Sequence, residues 1–531
     1  MKRWIVGICI LATTLSLAAF IGATTPTVAA TPTFTPVLQP WKPCSSGSEI
    51  ECSRLTVPLD YAHQANGRTV SLALTRLRAT RSPYQGLMVT NPGGPGSSGK
   101  QDVVLRDDVP DGAGARYDWV GFDPRGVGTS SPALHCDASY FGADRPSFVP
   151  TSQALMHYWL KKTKGYAAAC GRSSAKALLP HMTTRDTAKD MELLRRAYQA
   201  AAPAARRATL ADLNFYGFSY GTYLGEVYAT IFPSRVGRFV LDGVVDPDTY
   251  WYGSNLAQDV AFDQNLNAFF AWVAQRDSRY HLGTSGPSIR RGYNALVKKL
   301  VKHPAANGRL GPDELGDAML GAGYGVDAWP STAASYARLV RHGDGEQLYA
   351  SYRSDNAGAA NERLYAVYLA VECTDRKRPS WAQQTKDTWR VHRTRPYLAW
   401  NNTWYNAPCL EWPAPARAAV KVSGAALASL GTKILLVSET HDGATPYAGA
   451  LHTRRLFPTA SLIAGVGGRT HASSLRGVDC VDNWIAAYLA AGTVPERLSG
   501  RRADARCSGY PTPSRVAAGQ TLSRSPASRI R

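Results

Sequence analysis

The sequence predicts an α/β fold: a mostly parallel, eight-stranded sheet with an inserted helical cap. Three observations support this: short apolar runs recur along the chain, helical patterns lie between them, and the runs are missing from one long internal stretch. Alternating strands and helices are typical of α/β domains. With 531 residues, the chain could form a large core with an inserted subdomain or two to three smaller domains, so length alone does not decide.

Eight runs of β-branched and aliphatic residues are the predicted strands. They cover residues 55–59, 70–77, 86–90, 118–122, 213–216, 238–241, 433–437 and 460–463. Because Asn66-Gly67, a typical hairpin turn, separates the first two runs, we expect the sheet to begin antiparallel. The later runs are almost continuously apolar, as expected for parallel strands covered on both faces.

Residues 250–426 show helical patterns and no strand pattern. We expect a cap at the carboxyl edge of the sheet, where open α/β sheets bind ligands. A separate domain is the alternative, but the strands that follow complete the same pattern. The core is therefore predicted in two parts, 31–249 and 427–509. Residues 510–531 are rich in Ser, Pro, Arg and Gly, and we expect a disordered tail.

The first 30 residues have the composition of a signal peptide. Lys2-Arg3 is followed by an apolar segment and then by small residues up to Ala30. An uncleaved membrane anchor is the alternative, although the apolar segment is too short to cross a bilayer comfortably. We therefore expect a secreted, extracellular protein without stable membrane insertion. We also expect it to be a monomer.

The cysteines agree with export. Cys9 leaves with the signal, so eight of the nine cysteines remain, and an even number favours disulfides in an exported chain. Pairing between neighbours would join positions 44 with 52, 136 with 170, 373 with 409, and 480 with 507. Metal binding is the alternative, but the chain has no Cys-x-x-Cys pair and its histidines lack zinc-ligand spacing. We expect no metal and no cofactor.

The formal charge is +20, or +18 after loss of Lys2 and Arg3 (20 minus 2). Such a balance can indicate binding to nucleic acid or to an acidic envelope. The basic residues are scattered among alanines, however, with no stripe and no interleaved aromatic residues. We therefore expect a solvated basic surface and no nucleic-acid partner.

One short motif indicates a catalytic nucleophile. Ser219 lies in the run Gly217-Phe218-Ser219-Tyr220-Gly221, between the strand at 213–216 and a helical pattern at 222–232. This Gly-x-Ser-x-Gly arrangement is the nucleophile elbow of α/β-hydrolases, in which glycines allow a sharp turn that exposes the serine. We exclude epoxide hydrolase and dehalogenase mechanisms because they require Asp at that position.

A serine nucleophile needs a histidine base and an acid that orients it, and in this fold the order is serine, acid, histidine. Asp442 follows the strand at 433–437, and we prefer it to Glu439 because Gly443 and Thr445-Pro446 form the turn that presents it. His471 lies in a glycine-rich loop after the last strand. His452 is the competing histidine, but it falls within an expected helix.

The transition state also needs donors for the developing oxyanion. The loop Asn91-Pro92-Gly93-Gly94-Pro95-Gly96 follows the strand at 86–90, and its glycines permit close approach of the backbone. We assign the oxyanion hole to the backbone N–H groups of Gly94 and Tyr220.

Five motifs together resemble the secreted tripeptidyl aminopeptidases of actinomycetes, which are relatives of prolyl aminopeptidase within the α/β-hydrolases. The motifs are 91–96 (NPGGPG), 121–128 (GFDPRGVG), 217–221 (GFSYG), 409–413 (CLEWP) and 442–446 (DGATP). The resemblance covers nearly the whole mature chain. It implies a serine exopeptidase that releases short peptides, tripeptides in that family, from free amino termini, with Ser219, Asp442 and His471 as the triad.

Such an enzyme needs an anion to bind the ammonium group of its substrate, and Glu372 and Asp375 beside Cys373 are the candidates. A surface acidic pair fixed by a disulfide is the alternative. Two other functions remain open: an esterase or lipase with the same triad, and a silent envelope-binding protein. The complete set of catalytic residues argues against the silent protein.

Overall fold

The computed structural model describes residues 34–143 and 145–513. The predicted signal peptide, 1–30, and residues 514–531 of the predicted tail lie outside this part. The start of the tail contacts the folded protein, because the carbonyl oxygen of Pro513 accepts a hydrogen bond of 3.0 Å from Trp272 Nε1. Within the described part, no helix is both long and apolar enough to cross a membrane.

The strands form one mixed sheet in the order β1-β3-β4-β6-β5-β7-β8-β9-β10-β11, with β2 paired to β3. The strands are β1 Val37–Leu38, β2 Lys42–Pro43, β3 Glu51–Pro58, β4 Thr69–Leu77, β5 Gly86–Asn91, β6 Tyr117–Asp123, β7 Leu213–Phe218, β8 Val236–Asp242, β9 Ile434–Glu439, β10 Ser461–Val466 and β11 Ala505–Ser508. Pairing is antiparallel from β1 to β6 and parallel from β6 through β5 to β11.

The eight predicted strands correspond to β3–β10, which confirms the α/β-hydrolase prediction, including the antiparallel start. Strands β5, β7 and β9 are buried along their whole length, as their continuous apolar sequence indicates. Strands β1, β2 and β11 were not predicted. They have two to four residues each, too few to show an alternating or continuous apolar pattern.

Helices cover both faces of the sheet. The α-helices are α1 Leu105–Asp108, α2 Gln153–Arg172, α3 Thr184–Ala201, α4 Tyr220–Ile231, α5 Tyr252–Ala274, α6 Asp277–Tyr280, α7 Gly286–Leu300, α8 Ala305–Gly308, α9 Pro312–Tyr324, α10 Trp329–His342, α11 Glu346–Asn356, α12 Ala359–Asp375, α13 Trp381–His392, α14 Ala399–Asn406, α15 Ala425–Ser429, α16 Tyr447–Leu456 and α17 Asp479–Ala491. The 3-10 helices are Asp102–Val104, Pro110–Gly112, Gly114–Arg116, Lys176–His181, Ala204–Arg206, Pro233–Arg235, Val326–Ala328 and Ala407–Glu411.

The sheet has a core on each face. Leu194 of α3 and Leu224 of α4 pack with one set of strand side chains, and Ile485 and Leu489 of α17 pack with the other set. Because successive strand side chains point to opposite faces, Phe215 joins the first core and Tyr216 the second.

The helical cap lies between β8 and β9. Residues 243–433 are all described and contain the helices α5–α15 without a strand. The cap has its own core around Phe270 and Trp329. Helix α2, outside the predicted cap range of 250–426, packs against the cap as well, since the Trp159 and Trp404 rings are stacked 6.0 Å apart.

Four disulfides join neighbouring cysteines, as the cysteine order predicted. They are Cys44–Cys52, Cys136–Cys170, Cys373–Cys409 and Cys480–Cys507. The bond from Cys373 to Cys409 ties α12 to the 3-10 helix Ala407–Glu411, so it braces the cap internally. A closed loop of this length stabilises a fold by about 3–4 kcal/mol in the chain-entropy description.

Candidate active site

Ser219 occupies a sharp turn between β7 and α4. Its φ of 54° and ψ of −125° are strained for a residue with a side chain. The flanking glycines are needed for space: a Cβ on Gly217 would lie 2.6 Å from the Gly221 carbonyl oxygen, and one on Gly221 would lie 2.5 Å from the Asn91 carbonyl oxygen. The turn therefore has the geometry of a nucleophile elbow and holds Ser219 at the amino end of α4.

Asp442 and His471 meet at the carboxyl edge of the sheet. Asp442 follows β9, His471 follows β10, and Asp442 Oδ2 lies 2.8 Å from His471 Nδ1. Asp442 Oδ1 accepts hydrogen bonds from the amides of Ala444 (2.8 Å) and Thr445 (2.9 Å). The Thr445 hydroxyl donates to Oδ2 over 2.9 Å. These donors fix the carboxylate so that it faces the Nδ1 side of the imidazole.

The side chain of His471 is 2% exposed. Its burial lowers its pKa, but the carboxylate of Asp442, followed by those of Asp242 and Glu439, more than offsets this, and the pKa lies above its ordinary value. Nε2 is buried and has no hydrogen-bond partner within the described part of the chain. His471 and Ser219 line the same cavity. Nε2 is thus available to a group that enters this cavity.

The loop at 91–96 packs directly on the elbow. Gly93 has a φ of 100°, and a Cβ there would lie 2.6 Å from the Phe218 carbonyl oxygen and 3.0 Å from the Tyr220 amide nitrogen. Gly94, also at positive φ, lines the cavity together with Ser219 and Tyr220. The two residues assigned to the oxyanion hole therefore lie in one cavity wall with the serine.

The competing acid and histidine have other partners. Glu439 accepts hydrogen bonds from the amides of Thr470 and Tyr510, and burial raises its pKa to about 8. His452 lies on α16, with Nδ1 2.8 Å from Asp246 Oδ1. Of the candidates, Asp442 and His471 are the pair that the structure brings into contact, and His471 lines the cavity together with Ser219.

Glu372 and Asp375, the candidates for ammonium binding, lie on α12 behind the cavity wall. Glu372 is fully buried, forms an ion pair with Arg378 and accepts a hydrogen bond of 3.2 Å from Asn255 Nδ2. Asp375 accepts hydrogen bonds from the amide and hydroxyl of Thr184, and burial raises its pKa to about 7. The cavity is lined by Asn255 rather than by these two carboxyl groups.

The cavity has a volume of about 390 Å³ and lies between the elbow and the cap. Aromatic rings in mutual contact extend from Tyr220 along one wall; they belong to Trp251, Tyr368, Tyr405, Tyr365, Tyr140 and Phe141. Amide side chains supply polar groups, among them Gln258, whose Nε2 donates to the Ala444 carbonyl oxygen of the acid loop. In the described residues, no cluster of three or more His, Cys, Asp or Glu could hold a metal ion.

Asp242 is a further buried acid at this edge of the sheet, and none of the sequence motifs indicated it. Asp242 ends β8 beside the elbow, and its carbonyl oxygen accepts a hydrogen bond of 2.9 Å from the Ser219 amide. Its position at the carboxyl end of the strand next to the elbow is the sequence feature that could have identified it as a site residue.

Comparison with known proteins gives relatives along almost the whole chain. A family model described as "TAP-like protein" matches residues 395–507. The tripeptidyl aminopeptidase of Streptomyces lividans is 37% identical over 491 residues, which cover 89% of this chain and 87% of the relative. The serine protease Hip1 of Mycobacterium tuberculosis is 30% identical over 490 residues, 86% of this chain and 89% of the relative. Carboxylesterase B of the same species is 30% identical over 481 residues, 86% of this chain and 88% of the relative.

Proposed function

The chain belongs to the tripeptidyl aminopeptidase family of α/β-hydrolases, and we propose that it is a secreted serine exopeptidase that releases short peptides, tripeptides among them, from free amino termini. The observation that carries the proposal is the arrangement of His471. Its Nδ1 is held by Asp442, and its Nε2, which has no hydrogen-bond partner among the described residues, is buried at a cavity that Ser219 also lines.

In the proposed reaction, His471 Nε2 takes the proton of the Ser219 hydroxyl as Oγ attacks the carbonyl carbon of the scissile peptide bond. The N–H groups of Gly94 and Tyr220 donate to the resulting oxyanion. The C–N bond then breaks, and the imidazolium gives its proton to the leaving amine. Water, deprotonated by His471, attacks the acyl carbon; the bond from this carbon to Oγ then breaks, and the imidazolium returns its proton to Oγ as the peptide leaves with a new carboxyl group.

The contact between Asp442 and His471 supports this cycle because the carboxylate stabilises the imidazolium, which forms both during acylation of Ser219 and during hydrolysis of the acyl-enzyme. The raised pKa of His471 has the same cause. Since His471 must be neutral to act as the base, activity is expected to fall as the pH decreases through this pKa.

Peptide cleavage is supported by the two relatives named as a tripeptidyl aminopeptidase and a serine protease. The cap supports exopeptidase action, because it covers the carboxyl edge of the sheet and leaves a cavity of about 390 Å³, within the usual size of small-ligand sites. Esterase activity is the second candidate, since one relative is named a carboxylesterase and the same residues would cleave an ester.

Secretion is supported by residues 1–30, with their basic start, apolar segment and small residues, and by the four disulfides. Disulfides persist in oxidising compartments and are rare in the cytosol. Mass spectrometry of protein from the culture medium should find an amino terminus near residue 31. Accumulation of full-length chain in the cytosol would contradict export.

Substrate class is tested with chromogenic amides and esters offered to wild-type protein and to Ser219→Ala. The proposal predicts rapid release from tripeptide amides with a free amino terminus, slow release from their N-acetylated forms, and loss of both in Ser219→Ala. Equal rates on free and acetylated amides would contradict the aminopeptidase proposal. Ester cleavage without amide cleavage would favour the esterase.

A further inference from the structure

Asp242 contacts both the elbow that carries Ser219 and the loop that carries His471. Its carbonyl oxygen accepts the Ser219 amide over 2.9 Å. Its carboxylate Oδ2 accepts two hydrogen bonds from Ser474, from the amide over 2.8 Å and from the hydroxyl over 2.6 Å. Ser474 belongs to the histidine loop, which we define as residues 467–478 between β10 and α17. One residue at the end of β8 thus joins the elbow to the loop that carries His471.

The histidine loop needs such a tether because its backbone is strained. Ala472 and Leu475, on either side of Ser474, have φ values of 54° and 57°. Residues with a side chain occupy this region only when their surroundings enforce it. Several groups hold this loop: the His471 amide donates to the Tyr324 carbonyl oxygen, and the amides of Leu475 and Gly477 donate to Asp482 of α17. Ser474, which lies between the two strained residues, is held by Asp242.

The number of protons on each group determines which one donates in the hydrogen bonds of Ser474 with Asp242 and Tyr216. The Ser474 hydroxyl has one proton, which it donates to Asp242 Oδ2, so it accepts at 2.7 Å from the Tyr216 hydroxyl. Asp242 is therefore an acceptor at the end of a chain that begins on β7. Its side chain is 1% exposed, so its charge is poorly screened by water.

We infer that Asp242 is a positioning residue: it fixes His471 relative to Ser219 through Ser474, and its negative charge stabilises the imidazolium of His471. This inference rests on the proposed function, in which that imidazolium forms. Asp442 contacts the ring directly, whereas Asp242 acts on it from the end of β8, the strand that pairs with β9.

Charged and titratable groups around the pair come from each neighbouring element. Asp442 and Glu439 face His471 from the β9 side, Tyr324 of α9 lies against the ring, and Tyr216 of β7 and Asp482 of α17 lie on the Ser474 side. Burial raises the pKa of Asp242 to about 6, although the hydrogen bonds from Ser474 lower it. Asp242 is then ionised at neutral pH, and its charge raises the pKa of His471.

The test removes the negative charge of Asp242 and keeps the shape of its side chain. Asp242→Asn retains an oxygen for the Ser474 amide but has no charge. We expect kcat to fall on the order of tenfold with KM changed less than about twofold, because the lost interaction forms with the imidazolium. The acid limb of the pH profile of kcat/KM should move to lower pH, since a charge that raises the pKa of His471 is gone. The matched variant Ser474→Ala removes the hydroxyl contact and keeps the charge, so its acid limb should stay near that of wild type.

A second measurement follows the His471 ring by NMR in the Ser219→Ala protein, without substrate. Two titration steps are expected, one of them near pH 6 from ionisation of Asp242, and Asp242→Asn should remove that step. A His471 titration curve that is the same with and without the Asp242→Asn change in the folded proteins, or an acid limb unchanged in folded Asp242→Asn, would overturn the inference. Failure of the proposed function would show separately, as peptide hydrolysis that survives Ser219→Ala.

Discussion

At the residue scale, the site is a set of carboxyl groups with separate tasks around one imidazole. Asp442 contacts Nδ1 directly, Glu439 accepts the Thr470 amide next to His471, and Asp242 holds Ser474 beyond it. Charges in this buried region interact more strongly than they would in water. The roles are therefore expected to separate in variants that keep side-chain shape.

Asp442→Asn tests the direct contact. The variant keeps the size of the side chain but loses the charge that favours the imidazolium and can present an amide N–H to Nδ1. We expect kcat to fall about 10³- to 10⁴-fold, as the same substitution does in the Ser-His-Asp triad of serine proteases. Thr445→Val, which removes one hydrogen bond to Asp442 Oδ2, is the matched control and should cost far less. Stopped-flow or steady-state rates on a free-amino tripeptide amide measure both, and equal losses in the two variants would contradict the assignment.

Glu372→Gln tests the ion pair behind the cavity wall. Arg378 would be left buried without its charged partner, which costs about 3–5 kcal/mol when the site cannot rearrange. We therefore expect a lower melting temperature with little change in KM for free-amino peptides. Arg378→Met in the Glu372→Gln background should recover part of the stability. A raised KM with unchanged melting temperature would instead assign the substrate ammonium to Glu372.

At the element scale, function is concentrated where parallel strands end. Ser219, Asp442 and His471 follow β7, β9 and β10, and Asp242 is the last residue of β8. Parallel strands bring their carboxyl ends to one edge, so residues far apart in the chain become neighbours. The elbow and the loop at 91–96 then fit together only because glycines permit their approach.

Gly217→Ala tests this close packing. Its Cβ would lie 2.6 Å from the Gly221 carbonyl oxygen, so the turn between β7 and α4 must shift, and we expect turnover to fall below about one hundredth of the wild-type rate. Gly292→Ala on α7 is the control, because an alanine Cβ there would meet nothing within 4 Å in the described part of the chain apart from adjacent residues and the helix's own backbone, and alanine favours a helix by about 0.5–1 kcal/mol. Turnover numbers and circular dichroism distinguish the two, and a fully active Gly217→Ala would refute the elbow geometry.

Most of the strands and the position of the cap could be predicted from the sequence. Buried parallel strands are continuously apolar, and the cap is a long stretch in which such runs are missing. The contacts of Asp242 could not be predicted, since its partner Ser474 lies 232 residues further along the chain. The environment of Glu372 was hidden in part for the same reason, because Asn255 lies 117 residues away in the chain. Arg378 is near in sequence but lies beyond the end of α12, so no helical spacing indicates its ion pair with Glu372. Helix α2 packs on the cap although it precedes the elbow in sequence, so no local pattern assigns it there.

At the scale of the whole molecule, buried carboxyl groups couple folding to pH. Burial raises the pKa of Asp259 to about 8, that of Glu439 to about 8 and that of Asp375 to about 7. In the unfolded chain these groups titrate near pH 4, so between about pH 4 and 8 the folded state binds more protons. The stability they contribute is complete below the unfolded pKa and is lost as pH rises through the folded values.

Thermal unfolding should therefore occur at lower temperature near pH 9 than near pH 5, as measured by calorimetry at constant ionic strength. Asp259→Asn keeps an oxygen for the hydrogen bond from Asn402 Nδ2 and removes one of the titrating groups. Its melting temperature should depend less on pH than that of wild type. The exposed Asp479→Asn is the control and should show the wild-type slope; equal slopes for Asp259→Asn and wild type would contradict the assignment.

Ser219 is the proposed nucleophile, and covalent labelling with a serine-directed reagent tests this assignment. Wild-type protein is treated with a fluorophosphonate, digested and examined by mass spectrometry, next to Ser219→Ala and to Ser254→Ala, which changes another serine of the cavity. This assignment predicts one adduct on the peptide that contains Ser219, which is kept in Ser254→Ala and absent from Ser219→Ala. Labelling of Ser219→Ala at the wild-type rate would contradict it.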